Sequence, residues 1–396
     1  MKDIENTKKI LFVIDRIESG GAEKQMIKLA QLCARKHDVY ITSLYPPKGQ
    51  ANELIEKSQL KYVSLSISDS SIIGRVFNIT ARYFALKKLM ISLKPECCVS
   101  FLEWSNVYSV LCSKGLGIKT YCNVRNYLSI QYGSRSKYVL KIAQAIIARV
   151  YPNAAKILCN SYAIKDDLVN NFSIDADQVD VVFNSYDIEF ITQQGKLSVD
   201  FPLSFAKCQY QNFISIGRLS DQKRFHSLIQ SFVFFQQKTG RGDHLLIVGE
   251  GPLEEELKQL SLGHNISIID YQSNPYAIMS QCDCFILHSE FEGFPNVLAE
   301  ACILDMDILS VDCFSGPREI LSGGNVRDYG LIIDSVSSMD NGIIYPSLSS
   351  TGVDRGLVMA LEFYVSGDYV RKEKSIDFLS KEVGDARWLE LLSIQH

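Results

Sequence analysis

Short apolar runs recur along the chain, and after each the apolar residues return every three or four positions. Lys9-Ile10-Leu11-Phe12-Val13-Ile14 is the first such run, apolar enough for a strand covered on both faces. Amphipathic helical spacing then holds from about 23 to 36. Further strand-like runs fall at 39–44, 97–102, 120–124, 156–160 and 179–183, with helical patterns such as 76–93 and 138–150 between them. Beyond residue 205 the alternation restarts. Strands are predicted at 213–217, 244–249, 266–270, 284–287 and 308–311, with helices reaching about 238 and about 262 and another opening near Pro295. Spacings of roughly 20–30 residues between strands fit βαβ units and mostly parallel sheets.

A break separates the two series. Residues 184–205 are polar, include Gly195 and Pro202, and lose the periodicity. With 396 residues the chain also exceeds one ordinary core. The predicted fold is α/β, with two Rossmann-like doubly wound domains facing a cleft. The expected boundaries are 1–187 for the first domain, 188–205 for a linker, 206–366 for the second domain and 367–396 for terminal helices. In the tail, 335–341 reads as a loop, 354–363 as a helix and 369–391 as one or two helices. Open parallel sheets bind ligands at the carboxyl ends of their strands, so the chemistry is sought there.

Composition narrows the class. Apolar residues make up 46% and charged residues 22%, as in a folded globular protein. A net charge of −4 argues against nucleic acid as a partner. No run of eighteen apolar residues is present, so no membrane span is expected. The acidic start at Met1-Lys2-Asp3-Ile4-Glu5 is not that of a signal peptide. Eleven scattered cysteines and six dispersed histidines lack metal-ligand spacing, so no metal site is expected.

Five strand-end segments carry candidate chemistry. Glu292-Gly293-Phe294-Pro295-Asn296-Val297-Leu298-Ala299-Glu300 places two carboxylates around a turn that opens a helix. Pro295 suits the first helical position, and the free amides there can hold a phosphate. Glu300, a turn inside, reaches a sugar hydroxyl beside that phosphate, and Glu292 in the loop is free for a second polar group. Gly217-Arg218-Leu219 with Lys223 offers two cations suited to a diphosphate. Gly249-Glu250-Gly251-Pro252 allows a sharp turn beside a ligand, but Glu254 stands where a dinucleotide fingerprint needs glycine. Gly20-Gly21 repeats the glycine turn in the first half, and Ser315-Gly316-Pro317-Arg318-Glu319 follows the last strong strand.

Taken in order, these segments resemble the retaining glycosyltransferases of family 4, which have the GT-B fold. The likeness runs from Gly20-Gly21-Ala22-Glu23 to Gly316-Pro317-Arg318-Glu319 and includes Asn184-Ser185-Tyr186-Asp187 before the linker. It implies a final helix returning to the first domain. It implies that Arg218 and Lys223 bind the donor diphosphate, Glu300 the ribose and Glu292 the transferred sugar. Gly293, Phe294, Pro295, Asn296 and Val297 would line the sugar and phosphate, with Gly20, Gly21, Gly217, Gly249 and Gly251 shaping the donor pocket. No metal and no cofactor beyond the nucleotide-sugar donor is implied. The histidine that many relatives carry after the strand at 97–102 is absent. Glu103 stands there, and it is assigned with Arg125 and Asn126 to the acceptor side.

The function expected is transfer of a hexose or N-acetylhexosamine from a UDP-sugar to a lipid-linked saccharide in bacterial surface-polysaccharide assembly. Basic and apolar residues of 134–150, with Arg82, Lys87 and Lys88, suit a place in the cytoplasm, peripheral on the inner membrane. A nucleotide-sugar epimerase of the same fold, a dinucleotide oxidoreductase and a non-catalytic sugar-nucleotide-binding protein are the alternatives.

Overall fold

The computed structural model describes residues 7–18, 20–47, 51–65, 74–198, 210–325, 333–349 and 351–392. Ser19, Pro202 and the end of the expected linker lie outside these. The chain forms two compact units. One comprises residues 1–184 and 385–396, the other residues 185–384.

The first unit holds a seven-stranded parallel sheet of β1 (Lys9–Ile14), β2 (Asp38–Ser43), β3 (Lys61–Tyr62), β4 (Cys97–Phe101), β5 (Lys119–Val124), β6 (Lys156–Cys159) and β7 (Val179–Val181). Their order is β3-β2-β1-β4-β5-β6-β7. β1 shows why its sequence is continuously apolar. Ile10, Phe12 and Ile14 pack with the helix Gly21–Ala34, whereas Leu11 and Val13 pack with Leu86, Met90 and Tyr108. Helices on both faces leave no side for water. The last helix, Lys381–Leu391, inserts Trp388 and Leu389 into the first of these cores. Trp388 stacks on Phe101 with centroids 6.4 Å apart.

The second unit holds β8 (Asn212–Ile216), β9 (His244–Val248), β10 (Ile266–Ile269), β11 (Cys284–Leu287), β12 (Asp307–Val311), β13 (Ser337–Ser338) and β14 (Ile343–Tyr345), in the order β10-β9-β8-β11-β12-β14-β13. All pairings are parallel except β13 with β14.

Several expectations change. The segment 188–195 is not a linker but the helix Ile188–Gly195, capped by Asp187. It packs within the second unit, where a Cβ on Gly195 would stand 2.6 Å from Ser280 Oγ. Its polar surface hid a helix short enough to blur the period. The loop expected at 335–341 contains β13, and residues 369–376 are not helical. β14 is three residues long, too short to register as a run.

Candidate active site

β8 ends at Ile216, and its loop is built against the loop after β9. The Gly217 amide donates to Val248 O at 3.0 Å, and the Leu219 amide to Glu250 O at 2.9 Å. This closeness explains the glycines. A Cβ on Gly249 would lie 1.9 Å from Gly217 O, and one on Gly251 2.3 Å from Leu219 O. Gly217 in turn leaves room for the Lys223 stem, which would stand 3.1 Å from its Cβ.

Asp221–Lys223 forms one 3-10 turn. Gln222 clasps it to the loop after β11, accepting from the Glu290 amide and donating to Phe291 O, both at 2.8 Å. Lys223 Nζ thereby reaches Glu292 Oε1 at 2.6 Å. Glu292 is therefore already engaged rather than free in its loop. Arg218 is exposed and forms no ion pair among the described residues. The two cations differ: one is turned into the protein, the other into solvent.

Beneath this loop lies a buried polar network. His288 Nδ1 meets the Tyr345 hydroxyl and Nε2 the Ser227 hydroxyl, each at 3.0 Å. Burial, helped by the Arg224 charge, lowers His288 to about 3 despite Asp354. Arg224 pairs with buried Asp354 at 3.3 Å. His288 and Arg224 thus fix the chain just before Glu292 and just after Lys223.

The helix after β11 is Asn296–Ile303, with Pro295 at its N-cap rather than its first turn. The loop before it is pinned from the β12 side. Ser315 donates to Gly293 O at 2.6 Å, and Gly316, at φ 90°, faces Pro295 Cδ at 2.4 Å from where a Cβ would be. Phe294 is buried. The Val297 amide has no acceptor among the described hydrogen bonds, as the first turn of a helix dictates. Glu300 accepts from the Tyr276 hydroxyl at 3.2 Å. Burial raises the Tyr276 pKa, and the Glu300 charge adds to it. Tyr186, which the sequence reading left unassigned, donates to Asn296 Oδ1 at 2.6 Å. No local pattern marks that contact, because 110 residues separate the pair.

In the first unit the expected residues separate. Gly20 is the N-cap of the helix Gly21–Ala34, and Glu23 Oε2 curls back to 2.5 Å from the position of a Gly20 Cβ. The chain's own carboxylate thus stands at that helix start. Arg125 is buried, donates to Asn184 and lies 5.7 Å from the Phe101 ring centroid. It supports that corner of the sheet. Asn126 is half-buried in the following loop. Glu103 is buried at the start of the helix Glu103–Ser113.

Residues 205–341 match the family described as Glycosyl transferases group 1, and residues 19–190 match Glycosyltransferase Family 4. The chain is a family 4 glycosyltransferase. A relative in Campylobacter jejuni subsp. jejuni serotype O:2 is an N-acetylgalactosamine-N,N'-diacetylbacillosaminyl-diphospho-undecaprenol 4-alpha-N-acetylgalactosaminyltransferase. It is 28% identical over 343 residues, 85% of this chain and 89% of that protein. In structure the glycosyltransferase is similar to Anabaena HepE in complex with UDP-glucose, with a TM-score of 0.71 and 16% identity over 98% of this chain and 100% of that one. It is also similar to the lipopolysaccharide outer core galactosyltransferase WaaB in its apo form, with a TM-score of 0.68 and 19% identity over 97% and 99%. These likenesses identify the GT-B fold. The enzyme is thus neither an oxidoreductase nor a non-catalytic binder.

Proposed function

We propose that this glycosyltransferase moves a hexose or N-acetylhexosamine from a UDP-sugar to a lipid-linked saccharide in bacterial surface-polysaccharide assembly, with retention. The carrying observation is the near-full-length likeness to a transferase that, by its name, acts on a saccharide linked to diphospho-undecaprenol. Lys223 and Arg218 neutralise the departing diphosphate, helped by the amides at 293–297. Glu300 takes the ribose and Glu292 the transferred sugar. The acceptor hydroxyl attacks the anomeric carbon as the bond to phosphate breaks, and the departing phosphate takes its proton. No step needs a metal or a further cofactor. Glu103 and Asn126 serve the acceptor, and Arg125 supports them from beneath.

A lipid-linked acceptor calls for a membrane surface, and the charge distribution supports one. Residues 70–165 contain 14 Lys and Arg but only two Asp and Glu, in a chain of net charge −4. Within that segment the helix Lys137–Val150 exposes Tyr138 to 81% and Ile142 to 60% beside Lys137 and Lys141. Apolar residues amid cations suit the cytoplasmic face of an anionic inner membrane. No helix among the described residues is long and apolar enough to cross a bilayer.

The test is UDP release and product analysis with a panel of UDP-sugars and undecaprenyl-diphosphate-linked saccharides in anionic vesicles. Acceptor-dependent transfer from one UDP-sugar is expected. Sugar-nucleotide isomerisation without acceptor, or release of a different nucleotide, overturns the reading.

A further inference from the structure

The second unit holds a cavity of about 810 Å³ beside the site described above. It lies at the carboxyl ends of β8, β11, β12 and β14, where Asp221, Ser289, Cys313 and Ser347 contribute to its wall. β8 and β11 are neighbours at the point where the strand order of this sheet reverses, the place where open parallel sheets take ligands. The volume falls within the roughly 300–1,000 Å³ of small-ligand sites. Asp221 and Glu290 line the cavity, whereas Lys223 and Glu292 do not. It thus adjoins the Gln222 clasp without including the ion pair that the clasp holds.

Two buried polar groups in its wall are left without partners. Ser289 is 1% exposed and the Arg224 side chain 8%, yet neither Ser289 Oγ nor Arg224 Nε has a hydrogen-bond partner among the described residues. The rest of the Arg224 guanidinium is engaged. Its Nη1 donates to Ser347 Oγ at 2.7 Å and its Nη2 to Ser349 O, beside the Asp354 ion pair. A buried polar atom left unpaired costs stability, and a ligand that supplies the missing bond recovers it. The remaining wall is acidic and apolar. Of its four carboxylates, Asp312 is held by Arg318 Nε at 2.6 Å, and Glu256 Oε1 lies 2.9 Å from His226 Nε2. Asp221 and Glu290 are exposed, and their side chains make no hydrogen bond or ion pair among the described residues. Beside them Phe314 is 63% exposed and Leu348 51%.

We propose that this cavity binds a neutral saccharide, with Phe314 as its platform and Asp221 and Glu290 accepting its hydroxyls, while Ser289 Oγ and Arg224 Nε bond it from the floor. The chemistry of the wall selects that class. With Arg224 balanced by Asp354, the unengaged charge is negative, so a phosphate or a nucleotide is repelled. An aromatic face open to solvent takes the C–H face of a pyranose, and its hydroxyls donate to ionised carboxylates. A hydroxyl also accepts, so the same ligand serves Arg224 Nε as well as Ser289 Oγ. The source of the sugar alone rests on the saccharide acceptor proposed above: it is either the inner units of that acceptor or a free saccharide of the same chemistry.

The experiment titrates the full-length protein with methyl glycosides of hexoses and N-acetylhexosamines, read by saturation-transfer NMR, with and without saturating UDP. Binding is expected to persist with UDP present. F314A and the double variant D221N/E290Q are each expected to weaken glycoside binding about tenfold and to leave UDP affinity, by calorimetry, within about twofold. S289A separates a ligand contact from a structural one. Its unfolding midpoint is expected to hold or rise, because the hydroxyl it removes bonds nothing in the protein, while glycoside affinity falls about threefold. Glycoside binding that is unchanged in F314A and in D221N/E290Q, or that UDP displaces, overturns the site. Binding of spermidine without binding of any glycoside overturns it in favour of a cation. A lowered midpoint in S289A with glycoside affinity unchanged overturns the part given to Ser289. An acceptor KM that rises in F314A only for acceptors of two or more sugars assigns the cavity to the inner units of the acceptor, and a KM unchanged at every length assigns it to a free saccharide. Glycoside binding that these variants weaken, alongside absent transfer with every donor and acceptor, upholds the cavity and overturns only the transfer reading.

Discussion

Lys223 Nζ stands 2.6 Å from Glu292 Oε1, joining loops that are 69 residues apart in the chain. Both side chains are largely shielded, at 17% and 10% exposure. Each balances the other's charge, and in the proposed reaction the donor diphosphate competes for the lysine. Removing one partner strands the other charge. Lys223→Ala is therefore expected to cost about 2 kcal/mol of stability in addition to slowing transfer about 10²–10³-fold. The double variant Lys223→Ala/Glu292→Ala is expected to recover part of the stability and none of the rate. Urea unfolding and initial rates on the four corners of the cycle check this.

Glu300 and Tyr276 make a second test. Glu300→Ala is expected to weaken binding of the nucleotide product about tenfold, by calorimetry, because it removes the charged acceptor proposed for the ribose hydroxyls. Tyr276→Phe deletes the 3.2 Å bond that holds Glu300 in place, and a loss of about threefold is expected.

The glycine turns separate two kinds of backbone demand. Gly249→Ala would drive its methyl to 1.9 Å from Gly217 O, so the β8 and β9 loops must part. A loss of about 3 kcal/mol is expected in thermal unfolding. Gly263 has φ 78° but nothing within 4 Å of its absent Cβ. Gly263→Ala is expected to cost about 1 kcal/mol, the strain of the left-handed backbone alone.

Buried Glu103 gives stability a pH dependence of predictable sign. Glu103 has a folded pKa of about 7 against a usual 4.5, so the folded chain holds a proton that the unfolded chain releases between those values. Its contribution is full below about pH 4.5 and lost as pH rises through 7. His288 acts oppositely, since the folded chain refuses a proton that the unfolded chain accepts between 6.5 and about 3. Stability measured by urea midpoints is expected to be higher for wild type relative to Glu103→Gln at pH 5 than at pH 8, by roughly 2–3 kcal/mol.

Much of this could be read along the chain. β1 and β11 fall at 9–14 and 284–287 as expected, because strands covered on both faces must be apolar throughout. The strand-end positions of Lys223 and Glu292 and the place of Glu300 one turn into a helix were likewise legible, since their spacing is local to one loop or helix. Partnerships across the sheet were not. The Lys223–Glu292, Tyr186–Asn296 and Asp15–Ser105 contacts depend on which strands neighbour each other, and β8 neighbours β11 only after a crossover. The sign of φ at Leu102 also escaped, because leucine gives no warning of left-handed backbone. The Ile188–Gly195 helix was mistaken for linker because one buried residue, Ile191, carries its packing.

The place of Trp388 bears on how the molecule is made. Residues 7–184 contain every strand of the first sheet, yet the hydrophobic layer over Phe101 lacks Trp388, Leu389 and Leu392 until the chain has been made as far as residue 392. The unit whose strands leave the ribosome first is completed only after residues 185–384 have followed them. A nascent chain stopped short of residue 385 carries an open seam along that layer, which a chaperone or a protease would meet before any sugar does.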